Sequence, residues 1–178
     1  MKLCRKDSFA VIGKMGSTDD GKGFIQRLWE DANAHFAEVS ALARTDENGC
    51  LCGVWGAMSD FSGSFQPWEE GFSRGLYLAG VECGLDQDAP NGWTKWVIPS
   101  FEYFVHENGS SDSFAEGLRA LEKQGLTLGE RCRNTPVRRM AKAIFIILSE
   151  NWINKSPAAF LLLPGLHYAF FFVLIDAA

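Results

Sequence analysis

The first 128 residues carry strand and helix patterns in a repeating order, and this order limits the chain to few folds. A strand is predicted at 9–13. Beyond a loop rich in glycine, serine and aspartate, apolar residues recur every three to four positions from Phe24, which predicts an amphipathic helix of about sixteen residues. Two strands are predicted next, at 53–58 and 76–83. The order strand, helix, strand, strand predicts an α+β fold.

The same order begins a second time. A strand is predicted at 101–106, after the tryptophan-rich segment 93–98, and Ser113 and Glu116 have the spacing of a capping box at the start of a second helix. A complete repeat requires two more strands after Leu128. No segment beyond Leu128 alternates like a half-buried strand, so we expect this last hairpin to be missing.

Composition divides the chain at the same place. The chain has 178 residues, of which 47% are hydrophobic, and a net charge of -5. These values are typical of a globular domain and exclude collagen, disordered chains and disulfide-rich mini-proteins. Residues 1–128 hold 11 basic and 19 acidic side chains, whereas residues 129–178 hold 6 and 3. Because nucleic-acid affinity requires clustered cations, we expect no direct nucleic-acid binding.

The cysteines and the two ends of the chain bear on its location. The five cysteines are odd in number and show no zinc-ligand spacing, and the N-terminus lacks the apolar region of a secretory signal. Both features favour reduced thiols in a cytoplasmic protein. Residues 158–175 are nearly all apolar, but Pro164 and Gly165 interrupt them, so we expect no membrane association unless this tail is a genuine anchor.

Three segments in combination resemble the GyrI-like small-molecule-binding domain, which is also the effector-binding half of AraC-type and multidrug-sensing transcription regulators. They are the strand 77–82 with its Gly-Val-Glu, the Pro-Asn-Gly-Trp of 90–93, and 96–103 with its Ile-Pro. The likeness covers residues 7–128. It implies two strand-helix-strand-strand units, called SHS2-like, related by a pseudo-twofold axis around a ligand groove. We expect the chain to resemble the stand-alone form, in which no DNA-binding helix-turn-helix segment precedes this domain.

The chain departs from this family at Leu128, and we interpret residues 129–178 as a separate, divergent segment. A shifted reading frame of 129–152 permits two alternating aromatic strands about an Asp-Gly turn, which is the hairpin that the resemblance requires. Our hypothesis is that the chain is translated out of frame from about residue 129. The alternative is a genuine variant with a basic segment and an apolar membrane anchor.

Glu82 is the first candidate for ligand binding. It ends an otherwise apolar strand and shares a face with Gly80, whose missing side chain is expected to leave space beside the carboxylate. A carboxylate in an aromatic cleft attracts organic cations. The alternative is a glutamate that reaches solvent at a strand end. Large rings that would supply the apolar walls of such a site are dense between residues 55 and 96, and the candidates are Trp93, Trp68, Trp55, Tyr77 and Phe65.

The predicted function is the sensing or sequestering of hydrophobic small molecules that are cationic or polyaromatic, without chemistry of its own. The histidines have no partner at metal or triad spacing, and no phosphate loop or nucleophile elbow is present, so we expect no metal, no cofactor and no catalytic residue. Two alternatives remain. The resemblance also extends to hydrolases that open cyclopropane rings of genotoxic natural products, with Glu82 beside Tyr77 or Tyr103. A protein partner, such as a topoisomerase, would suit the acidic residues 1–128.

Overall fold

A computed structural model describes the backbone of residues 2–47, 49, 51–108, 119, 123, 143–148 and 169–174. Within these residues the fold is mixed α and β. The strands are β1 (Lys2–Lys6), β2 (Phe9–Ser17), β3 (Val54–Ser59), β4 (Leu76–Cys83), β5 (Thr94–Ile98), β6 (Phe101–Asn108), β7 (Ala143–Leu148) and β8 (Ala169–Leu174). The helix α1 spans Phe24–Ala34, and shorter helical turns occupy Thr18–Asp20, Phe36–Glu38 and Glu69–Phe72.

The described strands form one sheet in the order β1-β6-β7-β8-β3-β4-β2-β5. Strands β3, β4, β2 and β5 are antiparallel neighbours, and β1 is antiparallel to β6. Strand β7 runs parallel to β6 and antiparallel to β8, and β8 runs parallel to β3. The group β3-β4-β2-β5 contains every strand predicted from the sequence except the one at 101–106, which is β6.

Helix α1 covers one face of the sheet. Its apolar stripe buries Phe24, Trp29 and Ala32 against β2 and β4. The indole N–H of Trp29 donates a hydrogen bond of 3.2 Å to the Tyr77 hydroxyl of β4, which satisfies a buried donor. The helix has 11 residues rather than sixteen because the backbone leaves helical geometry at His35, after which a helical turn continues the apolar pattern.

The opposite face of the sheet buries a second apolar cluster. It holds Phe9, Val11, Trp55, Ala57, Leu78, Ile98 and Tyr103. Tyr103 belongs to β6, which lies four strands from β4 in the sheet order, yet it is in the same cluster as Leu78 of β4. The sheet therefore curves around this face.

The expectation that no strand follows Leu128 is wrong. Residues 143–148 and 169–174 form β7 and β8, which pair antiparallel with each other. Continuous runs of β-branched and aromatic residues suit strands within a sheet, although they lack the alternation of a half-buried strand. The second predicted helix, from Ser113, and most of 129–178 lie outside the described residues. The two symmetric units and the reading frame remain predictions.

Candidate functional site

Glu82 lies near the end of β4 on the face that α1 does not cover. Its neighbours in β4 alternate, so Val81 belongs to the cluster under α1, whereas Leu78 belongs to the opposite cluster. The backbone of Glu82 is held on both sides: its N–H donates to the carbonyl of Gly53 at 3.0 Å, and its carbonyl accepts the N–H of Arg44 at 2.7 Å. The side chain is only 2% exposed. The alternative that Glu82 simply reaches solvent does not hold.

Two cationic side chains contact the Glu82 carboxylate. The Lys6 ammonium lies 3.1 Å from Oε2 and donates a hydrogen bond of 3.4 Å to Oε1. The Arg44 guanidinium lies 3.1 Å from Oε1. The Lys6 side chain is 30% exposed and that of Arg44 is 63% exposed. Because solvent screens exposed charges, the ion pair with Lys6 is the stronger of the two.

Aromatic rings surround the Lys6 ammonium. Its nitrogen lies 4.4 Å from the centroid of the Phe9 ring and 5.6 Å from that of Trp55, both within cation–π range. The two rings are in contact, with centroids 4.6 Å apart and an interplanar angle of 41°. We call Glu82, Phe9 and Trp55 together the cation box. The Lys6 ammonium occupies this box and contacts one buried carboxylate and two aromatic rings.

Gly53 is required for this arrangement. A Cβ atom at residue 53 would collide with the indole nitrogen of Trp55 and would lie 3.2 Å from Oε2 of Glu82. Gly53 also accepts the Glu82 N–H, so it fixes the backbone of the site as well. Because Gly53 has no Cβ, the indole of Trp55 and the carboxylate of Glu82 can both lie close to its Cα.

The space expected beside Glu82 at Gly80 does not exist. A Cβ at Gly80 would collide with the carbonyl oxygen of Ile12 and would come within 2.6 Å of the Cα of Gly13. The backbone of β2 therefore fills the position. Gly80 allows two strands to approach closely and does not open a ligand cavity.

Two of the five predicted wall residues lie on the face of Glu82. Trp55 is part of the cation box and is 2% exposed. Phe65 packs against the same apolar cluster and makes an edge-on contact with Trp96, with centroids 5.7 Å apart. Both residues therefore lie on the face of the sheet that buries Glu82, and their role as walls of a ligand site stays a prediction.

The other three predicted wall residues, Tyr77, Trp68 and Trp93, lie on the opposite face against α1, so they do not line one site with Glu82. The indole of Trp68 donates to the Leu76 carbonyl at 2.8 Å, and that of Trp93 donates to Glu38 at 2.8 Å. Loops do carry both tryptophans, but their rings fold back onto the helix side of the sheet.

The location of Tyr77 also affects the hydrolase alternative. Burial raises the pKa of the Tyr77 hydroxyl well above its usual range, an effect that the hydrogen bond from Trp29 only partly offsets. Tyr77 is therefore a neutral core residue, and the sheet separates it from Glu82.

Sequence reasoning missed Lys6, Arg44 and Phe9. Phe9 had a usable signal, because it alternates with Val11 along a predicted strand and must share its face. Lys6 had none, since it follows Arg5 in a charged N-terminal segment that is typical of a solvated end. Arg44 precedes a polar turn and gave no signal either.

A depression of about 500 Å³ lies elsewhere, at the start of α1. Its lining residues are Thr18, Gly21, Lys22, Gly23, Phe24, Ile25 and Ser73. It contains no predicted site residue. It includes part of the glycine-rich loop, which here leads into the helix.

The described residues also bear on two other classes of site. In that part of the chain no three His, Cys, Asp or Glu side chains converge as metal ligands. None of the helices described has the length and apolar character needed to cross a lipid bilayer. A scan of the sequence against protein-family models gave no match, and a search of curated proteins also found none.

Proposed function

We propose that this protein binds small organic cations with an apolar or aromatic body, and that Glu82 supplies the countercharge. The observation that carries the proposal is the position of an ammonium nitrogen 3.1 Å from the buried Glu82 carboxylate and 4.4 Å from the Phe9 ring. The Lys6 side chain places a cation where a ligand's charged group would bind.

The physical basis is the low polarity around Glu82. A buried carboxylate is costly unless a cation compensates it, so the box favours positively charged groups over neutral ones. Each ring face adds about 0.5–2 kcal/mol of cation–π attraction, depending on desolvation. A quaternary ammonium suits such a box because it carries charge without a tightly held hydration shell.

A matched pair of probes tests this function. Benzyltrimethylammonium carries the charge, and neopentylbenzene has the same shape without it. We expect saturable binding of the cation and much weaker binding of the neutral probe, both measured by Trp fluorescence or calorimetry. Saturation without consumption of the probe would distinguish a binder from an enzyme.

The variant Glu82→Gln tests the countercharge. We expect at least a roughly tenfold loss of affinity, since the variant removes the charge attraction between Glu82 and the bound cation, about 4 kcal/mol for two unit charges about 4 Å apart near a protein surface. Glu69→Gln is the control, because Glu69 is also paired with an arginine, Arg74 at 2.9 Å, but is exposed and away from the box. Equal affinity for both probes, or unchanged affinity in Glu82→Gln, would contradict the proposed function.

A further inference from the structure

We propose that Lys6 is the resident occupant of the cation box and that an external cation binds by displacing the Lys6 ammonium into solvent. The inference rests on the proposed function and adds a competitor to it. Lys6 is 76 residues from Glu82 in sequence, and its ammonium contacts every member of the box. No other lysine is described at these distances from Glu82 in the part of the chain whose side chains are known.

The side chain of Lys6 is suited to leave. It has a flexible four-carbon stem, and at 30% exposure it already reaches solvent. Only its side chain must rotate, so β1 can keep its pairing with β6 and the hydrogen bond from the Ser100 hydroxyl to the Lys6 carbonyl, at 3.2 Å. Glu82 remains paired with Arg44 when Lys6 departs.

Lys6 acts as an internal competitor and lowers the apparent affinity of every ligand for the box. The apparent affinity of any ligand is reduced by the fraction of molecules whose box is vacant. The Lys6 ammonium is compact and strongly hydrated, so its hydration free energy favours its return to water. A quaternary or delocalised cation is weakly hydrated, so it loses less hydration free energy when it moves from water into the box. We therefore infer that quaternary and delocalised aromatic cations are the preferred class, and that primary amines bind more weakly.

The first test removes the competitor. If the box is vacant in about 1–10% of molecules, Lys6→Met should raise the affinity for benzyltrimethylammonium by roughly 10- to 100-fold. The affinity for benzylammonium should rise by the same factor, because Lys6 competes equally with both. Lys6→Arg should not raise either, since a guanidinium can still occupy the box.

Lys14→Met is the matched control. The Lys14 ammonium also lies 4.4 Å from a ring centroid, that of Trp93, and also pairs with a carboxylate, Asp31 at 3.5 Å. Lys14 lies on the helix side of the sheet. Its removal therefore changes the net charge by the same amount as Lys6→Met but leaves Lys6 in the box. We expect no change in affinity beyond that general charge effect.

The second test uses the unmodified protein. Trace acetylation of lysines with acetic anhydride, read by peptide mass spectrometry, should be faster at Lys6 when benzyltrimethylammonium is bound and unchanged at Lys14. A reaction at Lys6 that slows or stays constant would mean that the ligand covers Lys6 or binds elsewhere, and would overturn the inference. This measurement stays decisive if Lys6→Met does not fold.

The outcomes separate the inference from the proposed function. If neither the unmodified protein nor Lys6→Met binds the cation, the proposed function fails and the inference with it. If binding depends on Glu82 but Lys6→Met binds no tighter and Lys6 acetylation does not rise, the function stands and the inference alone is wrong.

Discussion

Gly13 and Gly80 face each other across β2 and β4, and neither position has room for a side chain. A Cβ on Gly13 would collide with the carbonyl oxygen of Ala79, and one on Gly80 with that of Ile12. Both collisions are with backbone atoms, which cannot rotate away. This close approach brings Glu82 of β4 next to Val11 of β2, on the face where Phe9 also lies.

The glycine pair makes a prediction about stability. We expect Gly80→Ala to lower the free energy of unfolding by about 1–3 kcal/mol, because overpacking moves one strand away from the other. Gly16→Ala in the neighbouring strand β2 is the control, since its Cβ would meet only side-chain ends of Leu28 and Asp20 at 3.0–3.3 Å. Urea unfolding followed by fluorescence measures both. Equal losses in the two variants would show that close packing at Gly80 is not the cause.

The lowered pKa of Asp60 leads us to expect that acid destabilises the loop that contains it. Burial of its carboxylate would raise its pKa, but hydrogen bonds from Ser62, the Gln66 backbone, Ser59 and Ser64 outweigh this and lower the pKa to about 2. A carboxyl whose pKa is lower in the folded state stabilises the protein above its unfolded pKa. We expect this contribution, roughly 2 kcal/mol, to be present at neutral pH and to disappear as the pH falls from about 4 to 2.

Asp60→Asn tests the loop. We expect lower stability at pH 7 and a weaker dependence of stability on pH between 4 and 2, measured by urea unfolding at each pH. Asp19→Asn, at an exposed site, is the control for removing one negative charge. An unchanged pH dependence in Asp60→Asn would rule out Asp60 as the source.

The buried hydroxyl of Tyr77 leads us to expect that the folded protein loses stability at high pH. Its folded pKa is raised well above the usual tyrosine value of 10.0, mainly by burial, so its neutral form stabilises the fold below pH 10 and this stability falls as the pH rises further. We expect the Tyr77 hydroxyl to ionise only in a late step, when the protein unfolds, as measured by ultraviolet absorbance. Tyr77→Phe should reduce that step by one hydroxyl and cost about 1–3 kcal/mol, because the Trp29 N–H loses its acceptor. Ionisation of all tyrosines in the folded protein would contradict this.

Two cysteines differ in predicted reactivity. Cys52 is exposed and Cys83 is 3% exposed. Burial, partly offset by Lys95, raises the pKa of the Cys83 thiol, so little of it is thiolate at neutral pH. We expect iodoacetamide to label Cys52 quickly and Cys83 only after unfolding, as read by peptide mass spectrometry. Rapid labelling of Cys83 in the folded protein would show that β4 opens readily.

The reading-frame hypothesis makes a prediction at the level of nucleotides. We expect the transcript beyond the Leu128 codon to encode, in the shifted frame, two alternating aromatic strands about an Asp-Gly turn. Sequencing the transcript across this codon measures it directly. Bases that do not encode the hairpin would end the hypothesis, and β7 and β8 would then stand as the natural partners of β6 and β3.

The sequence allowed prediction of the strands with a clear apolar pattern and missed the others. Strands β2, β3 and β4 and helix α1 were recognisable, because short apolar runs bounded by turn residues indicate the strands and an apolar period of about 3.6 indicates the helix. Strand β1 was missed because three of its five residues are basic. Strands β7 and β8 were missed because a uniformly apolar run does not by itself distinguish a buried strand from a buried helix or a membrane anchor. A charged edge strand such as β1 and uniformly apolar strands such as β7 and β8 give the weakest periodic signals.

For the site, the sequence by itself determined that Glu82 is the one acidic residue of an apolar strand and that aromatic residues are abundant nearby. It could not determine which rings accompany it. Alternation fixes which residues of one strand share a face, but only tertiary packing decides which face α1 covers, and α1 took the side of Tyr77, Trp68 and Trp93. The partner of Glu82 was likewise decided by long-range packing, because a charge 76 positions away becomes a contact only when β1 folds beside it.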